Sequence, residues 1–253
     1  MQFQEAKTGW VALIVVGLLA LGFVLEGDSA PVSHRVFDRG MTVASRLAQY
    51  GEAARARLAP AFGAAGAPYP PARVVFVGLK RERALEVYAA GPAGGLRFVR
   101  AYPILGASGT IGPKLREGDR QVPEGLYRIE SLNPRSRYHL SLRVSYPNAF
   151  DRETARREGR TNLGGDIMIH GGTGSVGCLA MGDEAAEDLF VLAAETGPER
   201  IEVFLSPVDF RRADVERETL DALPPWTEGL YAQIKAAMAR LPGQARAPAP
   251  PGG

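Results

Sequence analysis

The sequence predicts an α+β fold in which a β-rich domain is flanked by helices. From residue 73 onward the chain breaks into short runs of branched and aromatic residues separated by turn residues. One run, YHLSLRVSY at 138–146, alternates apolar and polar residues, as a strand with one buried face does. Short strands in this arrangement favour a mainly antiparallel or mixed sheet over βαβ repeats. The 253 residues, with 45% hydrophobic and 23% charged, suit one medium domain with additions or two small domains.

The chain begins with a candidate membrane segment. Residues 10–25 form an unbroken apolar run, with Lys7 before it and Glu26 and Asp28 after it. The run is slightly short of the roughly 20 residues of a full span, yet longer than most signal-peptide cores. The charges favour a cytoplasmic amino end and an exported remainder. We therefore predict a signal anchor over residues 1–30, with a cleaved signal peptide as the alternative, and a periplasmic chain tethered by residues 10–25.

A helical segment and linker are predicted over residues 31–71. Residues 35–59 carry spaced apolar positions among Arg, Glu and Ala, which indicates one or two amphipathic helices. Residues 62–71, FGAAGAPYPP, are rich in helix breakers and are predicted as the linker. Strands are then predicted at 73–79, 84–90, 96–104, 126–131, 138–146 and 166–170.

The carboxyl-terminal part alternates helix and strand. We predict a helix from Asp183, as N-cap, to about Thr196, followed by a strand at 201–205. Helices are predicted over residues 211–241, divided at Pro224-Pro225. Residues 242–253, PGQARAPAPPGG, have the composition of a disordered tail.

Charge and cysteine content exclude some classes of function. Thirty Lys and Arg against 28 Asp and Glu give a net charge of +2, which argues against a nucleic-acid-binding protein. The single cysteine excludes an intrachain disulfide framework and a multi-thiolate metal site.

That cysteine lies in the segment IHGGTGSVGCLAM, residues 169–181. His170 ends a predicted strand and Cys178 follows eight residues later, after a glycine-rich loop that could fold back on the strand. A thiol needs a nearby base or cation to become a good nucleophile. The N–H groups of Gly177 and Cys178 are candidates for an oxyanion site.

Other interpretations of this segment stay open. A lone cysteine is often a small buried hydrophobic residue, and a histidine at a strand end is often only a polar cap. An unpaired thiol in an oxidising compartment nevertheless calls for a reason. A zinc site from His170, Cys178 and Asp183 is not supported by any ligand-spacing pattern.

The segment 169–181 resembles the catalytic motif of the L,D-transpeptidase (YkuD-type) family, with its HG element followed by S-x-G-C. SGTIGPKLREGDRQVPEGLY at 108–127 is similar to the family's stretch before its P-x-G-x-Y/F turn. YHLSLRVSYPNAFDR at 138–152 resembles the YafK-like branch. We take residues 72–210 as the catalytic domain on this basis.

The resemblance implies cysteine acyl transfer on peptidoglycan stem peptides that contain meso-diaminopimelate, without a cofactor. It makes Cys178 the nucleophile, through a thioacyl-enzyme, and His170 the base, oriented by the Gly171 carbonyl. Ser175 and Gly177 would shape the loop and the oxyanion site.

Four further residues are candidate substrate contacts. Lys114, Arg120 and Gln121 lie in the matched segment and are predicted to contact anionic stem peptides, with a solvated polar loop as the alternative. Arg143 shares a strand face with His139 and is predicted to face the cleft.

Two departures from the family pattern point to alternative activities. The interval from His170 to Cys178 is short, and Ala180 stands where many members carry Arg. In the YafK-like branch such features accompany an amidase that cuts between peptidoglycan and a bound lipoprotein, so hydrolysis is the alternative to transfer. A non-catalytic wall-binding module is a second alternative, although it would need neither His170 nor Cys178. The expected partners are stem peptides, a wall-anchored outer-membrane protein and the membrane.

Overall fold

The computed structural model describes residues 41–242. The predicted membrane segment at 10–25 and all but the first residue of the predicted tail lie outside these residues. Within residues 41–242, every helix is too short or too polar to cross a bilayer.

An eight-stranded mixed sheet forms the centre of the fold. Its spatial order is β3-β2-β1-β8-β4-β5-β6-β7, with β1·β8 and β6·β7 parallel and the other neighbours antiparallel. The predicted mixed sheet is thereby confirmed. The strands are β1 Val74–Leu79, β2 Ala84–Ala90, β3 Leu96–Pro103, β4 Gly125–Asn133, β5 Ser141–Val144, β6 Met168–His170, β7 Leu179–Ala180 and β8 Ile201–Ser206.

Helices cover both faces of this sheet, so β1 is buried along its whole length. Phe76 belongs to the core cluster shared with α1 and α3, whereas Val77 belongs to the cluster shared with α5. Alternate side chains of a strand point to opposite faces, which explains why β1 contributes side chains to both hydrophobic clusters. The helices are α1 Val43–Ala65, α2 Ala149–Arg157, α3 Asp183–Thr196, α4 Arg217–Asp221 and α5 Thr227–Met238, with a 3-10 turn at Pro198–Arg200.

The first helix differs from its prediction at its carboxyl end. It runs through residues 62–65, which the sequence had indicated as linker, and contains Pro60. Leu58 and Phe62 are one turn apart and both are buried in the core, so packing outweighs the local breaker signal. The helix begins after a capping box formed by Thr42 and Ser45 and ends at Gly66.

Three other elements differ from the predictions. The strand predicted at 138–146 is only Ser141–Val144, because His139 adopts a left-handed φ of 69°. Residues 149–157, interpreted as a turn, form α2 behind an Asn148 capping box. A two-residue strand, β7, interrupts the predicted loop between β6 and α3, and Gly182 rather than Asp183 is the N-cap of α3.

Candidate active site

A cavity of about 510 Å³ lies at the β5-β6-β7 end of the sheet. Both Cys178 and His170 line it. Its remaining walls come mainly from the segment between β4 and β5 and from the entrance to β6. The other lining residues are Asn133, Arg135, Ser136, Arg137, Tyr138, Ser141, Arg143, Asp166 and Met168.

The parallel pairing of β6 with β7 places the thiol. The register sets Ile169 opposite Leu179 and His170 opposite Ala180, so Cys178 lies just before β7 beside the start of β6. The Met168 N–H donates to Cys178 Sγ at 3.3 Å, and the thiol lies 3.6 Å from the Asp166 carbonyl oxygen, to which it donates. The loop between the two strands therefore folds back on β6, as the motif spacing suggested.

Serine hydroxyls hold the turn before Cys178. Ser175 Oγ accepts from the Cys178 N–H at 3.1 Å and donates to the Cys178 carbonyl at 2.7 Å. Gly177, which has a left-handed φ of 79°, donates its N–H to Ser108 Oγ at 2.8 Å. Ser108 in turn donates to the Arg120 carbonyl at 2.6 Å. The two N–H groups considered for the oxyanion site are thus both bonded to hydroxyls in this structure.

The imidazole of His170 is held in one tautomer. His170 is buried, and its Nδ1 lies 2.6 Å from the Gly171 carbonyl oxygen. A carbonyl oxygen only accepts, so Nδ1 must carry a proton and, in the neutral ring, Nε2 is left as the acceptor. The Tyr138 ring lies over the imidazole, with centroids 4.7 Å apart and a 32° angle between the planes. The arrangement leaves Nε2 as the atom able to take a proton.

Burial also sets the protonation of the pair. It lowers the pKa of His170 and raises the pKa of the Cys178 thiol, an effect to which the Asp166 charge adds. The Met168 N–H and the Lys114 charge act in the opposite direction on the thiol. Near neutral pH, the resting pair is therefore a neutral thiol and a neutral imidazole.

Arg143 lines the cavity, whereas three other predicted contact residues do not. Lys114 is buried and its Nζ donates to Asp119 at 2.7 Å. Gln121 Oε1 accepts from the Thr110 N–H at 3.0 Å. Arg120 has a left-handed φ of 58° and supports Ser108 through its carbonyl. The segment carrying these residues thus braces the cysteine loop in this structure.

The structure adds cavity residues that sequence reasoning missed. Arg135, Arg137 and Tyr138 come from the segment between β4 and β5, much of which the sequence assigned to a strand or left unassigned. The cluster RSRYH at 135–139 was the available signal. Asp183, considered for a metal site, instead accepts the Gly172 N–H at 2.8 Å.

The part of the chain that contains the sheet and the cavity is similar to known proteins. Residues 72–203 match the family model of the YkuD L,D-transpeptidase catalytic domain. YafK of Escherichia coli K12, which is named as an L,D-transpeptidase, is 33% identical over 143 residues, covering 54% of this chain and 55% of YafK. The protein of the same name from strain O157:H7 matches equally. The chain thus spans about half the length of the curated relatives it matches.

Two solved structures show partial likeness. The helical cell shape determining protein Pgp2 of Campylobacter jejuni is 25% identical, with a TM-score of 0.43 over 54% of this chain and 48% of that one. Bd1075 of Bdellovibrio bacteriovorus is 19% identical, with a TM-score of 0.39 over 66% of this chain and 55% of that one.

Proposed function

Because the chain belongs to the YkuD family of L,D-transpeptidase catalytic domains, we propose that it is a cysteine acyltransferase acting on meso-diaminopimelate-containing stem peptides of peptidoglycan. The observation that carries the proposal is a single cavity lined by Cys178 and by His170, whose Nδ1 is bonded to the Gly171 carbonyl. A nucleophile and an oriented base are the parts that acyl transfer needs.

The first half-reaction forms a thioester. Nε2 of His170 takes the proton of the Cys178 thiol as sulfur attacks the carbonyl between diaminopimelate and the terminal D-alanine. The carbonyl π electrons move to oxygen and then return as the C–N bond breaks. His170 gives its proton to the leaving amine, so D-alanine departs neutral at nitrogen and the acyl group stays on sulfur.

The second half-reaction discharges the thioester. An acceptor amine attacks the thioester carbonyl and yields its proton to His170. The C–S bond then breaks, and His170 returns the proton to the sulfur, which regenerates the neutral Cys178 thiol and the neutral imidazole. A diaminopimelate amine as acceptor produces a 3–3 cross-link, and a protein lysine produces an anchored protein.

The developing oxyanion needs donors close to the sulfur. The Gly177 and Cys178 N–H groups are the candidates nearest in the chain, and each is bonded to a serine hydroxyl at rest. On this proposal Ser108 and Ser175 hold the two peptide groups in place until the oxyanion attracts them.

Water is the second candidate acceptor, and one observation favours it. Tyr138, which stacks on His170, is 57% exposed, so the base lies beneath a solvent-facing ring. With water as acceptor, the thioester hydrolyses to a free carboxylate and the Cys178 thiol. Where the leaving amine of the first half-reaction is a lipoprotein lysine instead of D-alanine, this sequence cuts the link between peptidoglycan and the bound lipoprotein.

Product analysis separates these outcomes. Peptidoglycan sacculi, with and without bound lipoprotein, are incubated with the full chain, and the muropeptides and released proteins are identified by mass spectrometry. New 3–3 dimers support transfer, whereas trimmed stems or released lipoprotein support hydrolysis. Cys178→Ala is expected to abolish every product. Products unchanged in that variant would refute the mechanism.

The proposal places the catalytic domain in the periplasm, tethered by residues 10–25. Alkaline phosphatase fused after residue 40 is expected to be active in a bacterial host, because this enzyme needs the oxidising side of the membrane. An inactive fusion would contradict this location.

A further inference from the structure

The cavity beside Cys178 is positively charged. Three arginines line it, Arg135, Arg137 and Arg143, against one acidic residue, Asp166, while Glu130, which pairs with Arg143, lies outside the lining. His170 adds no charge near neutral pH because burial lowers its pKa. A concave surface with this excess of positive charge attracts anions.

Arg143 is the arginine whose position relative to the thiol is fixed by strand pairing. It lies in β5 opposite Met168 of β6, and the Met168 N–H donates to Cys178 Sγ at 3.3 Å. Neighbouring strands are about 4.8 Å apart, so the guanidinium of a long side chain lies within reach of a ligand held at the thiol. The Arg143 side chain is 38% exposed and therefore accessible.

Two carboxylates hold the Arg143 guanidinium. Glu130 Oε2 lies 2.8 Å from Nε, and Asp166 Oδ1 lies 2.6 Å from Nη1. Glu130 is not among the cavity-lining residues, whereas Asp166 is one of them and its side chain is 77% exposed. Glu130 thus orients the guanidinium from outside, and Asp166 occupies the edge that faces the cavity.

We propose that Arg143 binds a carboxylate of the substrate and that Asp166 is the internal carboxylate which the substrate displaces. The terminal Nη1 and Nη2 groups form the fork that binds a carboxylate through two hydrogen bonds, while Nε stays on Glu130. Identifying the ligand as a stem peptide rests on the proposed function. The chemistry recognised is a free carboxylate close to the scissile amide.

Displacement of Asp166 also affects the thiol. The Asp166 carbonyl accepts from Cys178 Sγ at 3.6 Å, so the same residue contacts both the guanidinium and the nucleophile. A substrate carboxylate that replaces the Asp166 side chain removes one anchor of this residue and loosens its contact with the sulfur. Only ligands that carry the carboxylate would produce this change.

The single cysteine of the chain allows a direct test that needs no turnover. The alkylation rates of Cys178 by iodoacetate and by iodoacetamide are measured at one pH by intact-protein mass spectrometry, and their ratio is compared between variants. The ratio cancels changes in thiol pKa, and the iodoacetamide rate reports whether the cavity is intact. Arg156→Gln is the matched control, since it removes one exposed, ion-paired arginine from α2.

The ratio is expected to fall about tenfold in Arg143→Gln, by less in Arg143→Lys, and not at all in Arg156→Gln, because a lysine keeps the charge without the planar fork. Asp166→Asn is expected to raise the ratio, since it removes the internal competitor. Equal ratios in wild type and Arg143→Gln would overturn the proposal. If Arg143→Gln does not fold, an unchanged or lower ratio in Asp166→Asn overturns it instead.

Stem tetrapeptides with each carboxylate amidated in turn then identify the group recognised. Amidation of that group is expected to raise KM in wild type and to have no effect in Arg143→Gln. An amidation effect that persists undiminished in Arg143→Gln overturns the inference while leaving the proposed function in place. A carboxylate preference in alkylation without turnover of any stem peptide refutes the proposed function and supports the anion site.

Discussion

Burial determines the resting chemistry of single residues in the cavity. His170 is neutral with a pKa below its ordinary value of 6.5, and the pKa of the Cys178 thiol is raised above its ordinary value of 9.0. On the proposed mechanism, the sulfur therefore becomes nucleophilic only as His170 removes its proton, in contrast to a preformed thiolate–imidazolium pair.

This protonation state predicts the pH dependence of activity. Protonation of His170 removes the base, so kcat/KM is expected to fall as pH decreases through the folded-state pKa, below 6.5. Because the folded-state pKa is depressed, the stability associated with the neutral ring is present above the unfolded value and is lost over the same low-pH range. An acid limb centred at or above pH 6.5 in a stem-peptide assay would contradict this assignment.

Ser108 is a positioning residue whose removal is informative. Ser108→Ala deletes the acceptor of the Gly177 N–H and leaves the peptide before Cys178 less well held. We expect kcat to fall roughly fivefold with a smaller change in KM, since the lost hydrogen bond is worth about 1 kcal/mol. Steady-state kinetics with Ser131→Ala, an exposed serine of β4 outside the cavity lining, as control would check this. An unchanged kcat would show that Ser108 does not position the peptide before Cys178 for catalysis.

Some residues of the site could be predicted from the sequence, and others could not. The His170 and Cys178 positions follow from a local motif, because the seven residues of glycine-rich loop between them can fold back on one strand. The roles assigned to them remain predictions. Arg135 and Arg137 enter the cavity through the pairing of β4, β5 and β6, which no local pattern encodes.

The position of the cysteine loop is constrained by the elements packed against it. β7 bonds on its outer side to the backbone of Gly106, whose N–H and carbonyl both pair with Ala180. A Cβ added at Gly106 would lie 2.0 Å from the Thr173 carbonyl oxygen, in the middle of the loop. The segment around Gly106, β7 and the cysteine loop therefore pack closely, with no room for a Cβ at Gly106.

Gly106→Ala is accordingly expected to displace the loop. We predict a loss of at least about tenfold in kcat with the far-ultraviolet circular dichroism spectrum retained, because misplacing reacting groups by about 1 Å costs orders of magnitude in rate. Gly95→Ala is the matched control, since a Cβ there meets nothing within 4 Å. Equal kcat values for the two variants would show that the loop tolerates the shift.

The elements that escaped sequence prediction have identifiable physical reasons. The end of α1 carries breaker residues but buries Phe62, and long-range packing decided its state. β7 has only two residues, too few for a periodic signal. α2 was missed because Pro147 and Asn148, which precede it, fit a turn as well as the start of a helix.

A buried ion pair between Glu124 and Lys80 connects distant parts of the fold. Glu124 is fully buried and accepts from Lys80 Nζ at 2.8 Å, from the Gly112 N–H at 2.9 Å and from the Tyr231 hydroxyl at 2.7 Å. These bonds join the end of β1, the segment before β4 and α5. Burial lowers the pKa of Lys80 while the charge of Glu124 opposes that change.

Glu124→Gln should therefore destabilise the entire fold. Removing one partner leaves a buried ammonium group without its counter-charge, and we expect a loss of about 3 kcal/mol in the free energy of unfolding. Urea denaturation of this variant beside Glu153→Gln, an exposed carboxylate on α2, measures the difference. Similar midpoints for both variants would show that the buried pair contributes little.

At the level of the complete domain, the α+β class and the mixed sheet were predictable from the spacing of short strands. The insertion of β8 between β1 and β4 was not, because β8 pairs with residues of β1 more than 100 positions earlier and with residues of β4 more than 70 positions earlier. It is this pairing that unites the amino-terminal hairpin strands with the half of the sheet that carries the cavity.

The proposed role of Cys178 is to carry the acyl group. A donor stem tetrapeptide is mixed with the full chain, the reaction is quenched in acid, and the protein is mapped by mass spectrometry while free D-alanine is counted. If Cys178 has this role, a thioester forms on it with one D-alanine released per adduct, and Cys178→Ala gives neither product. Release of D-alanine by Cys178→Ala at the wild-type rate would contradict it.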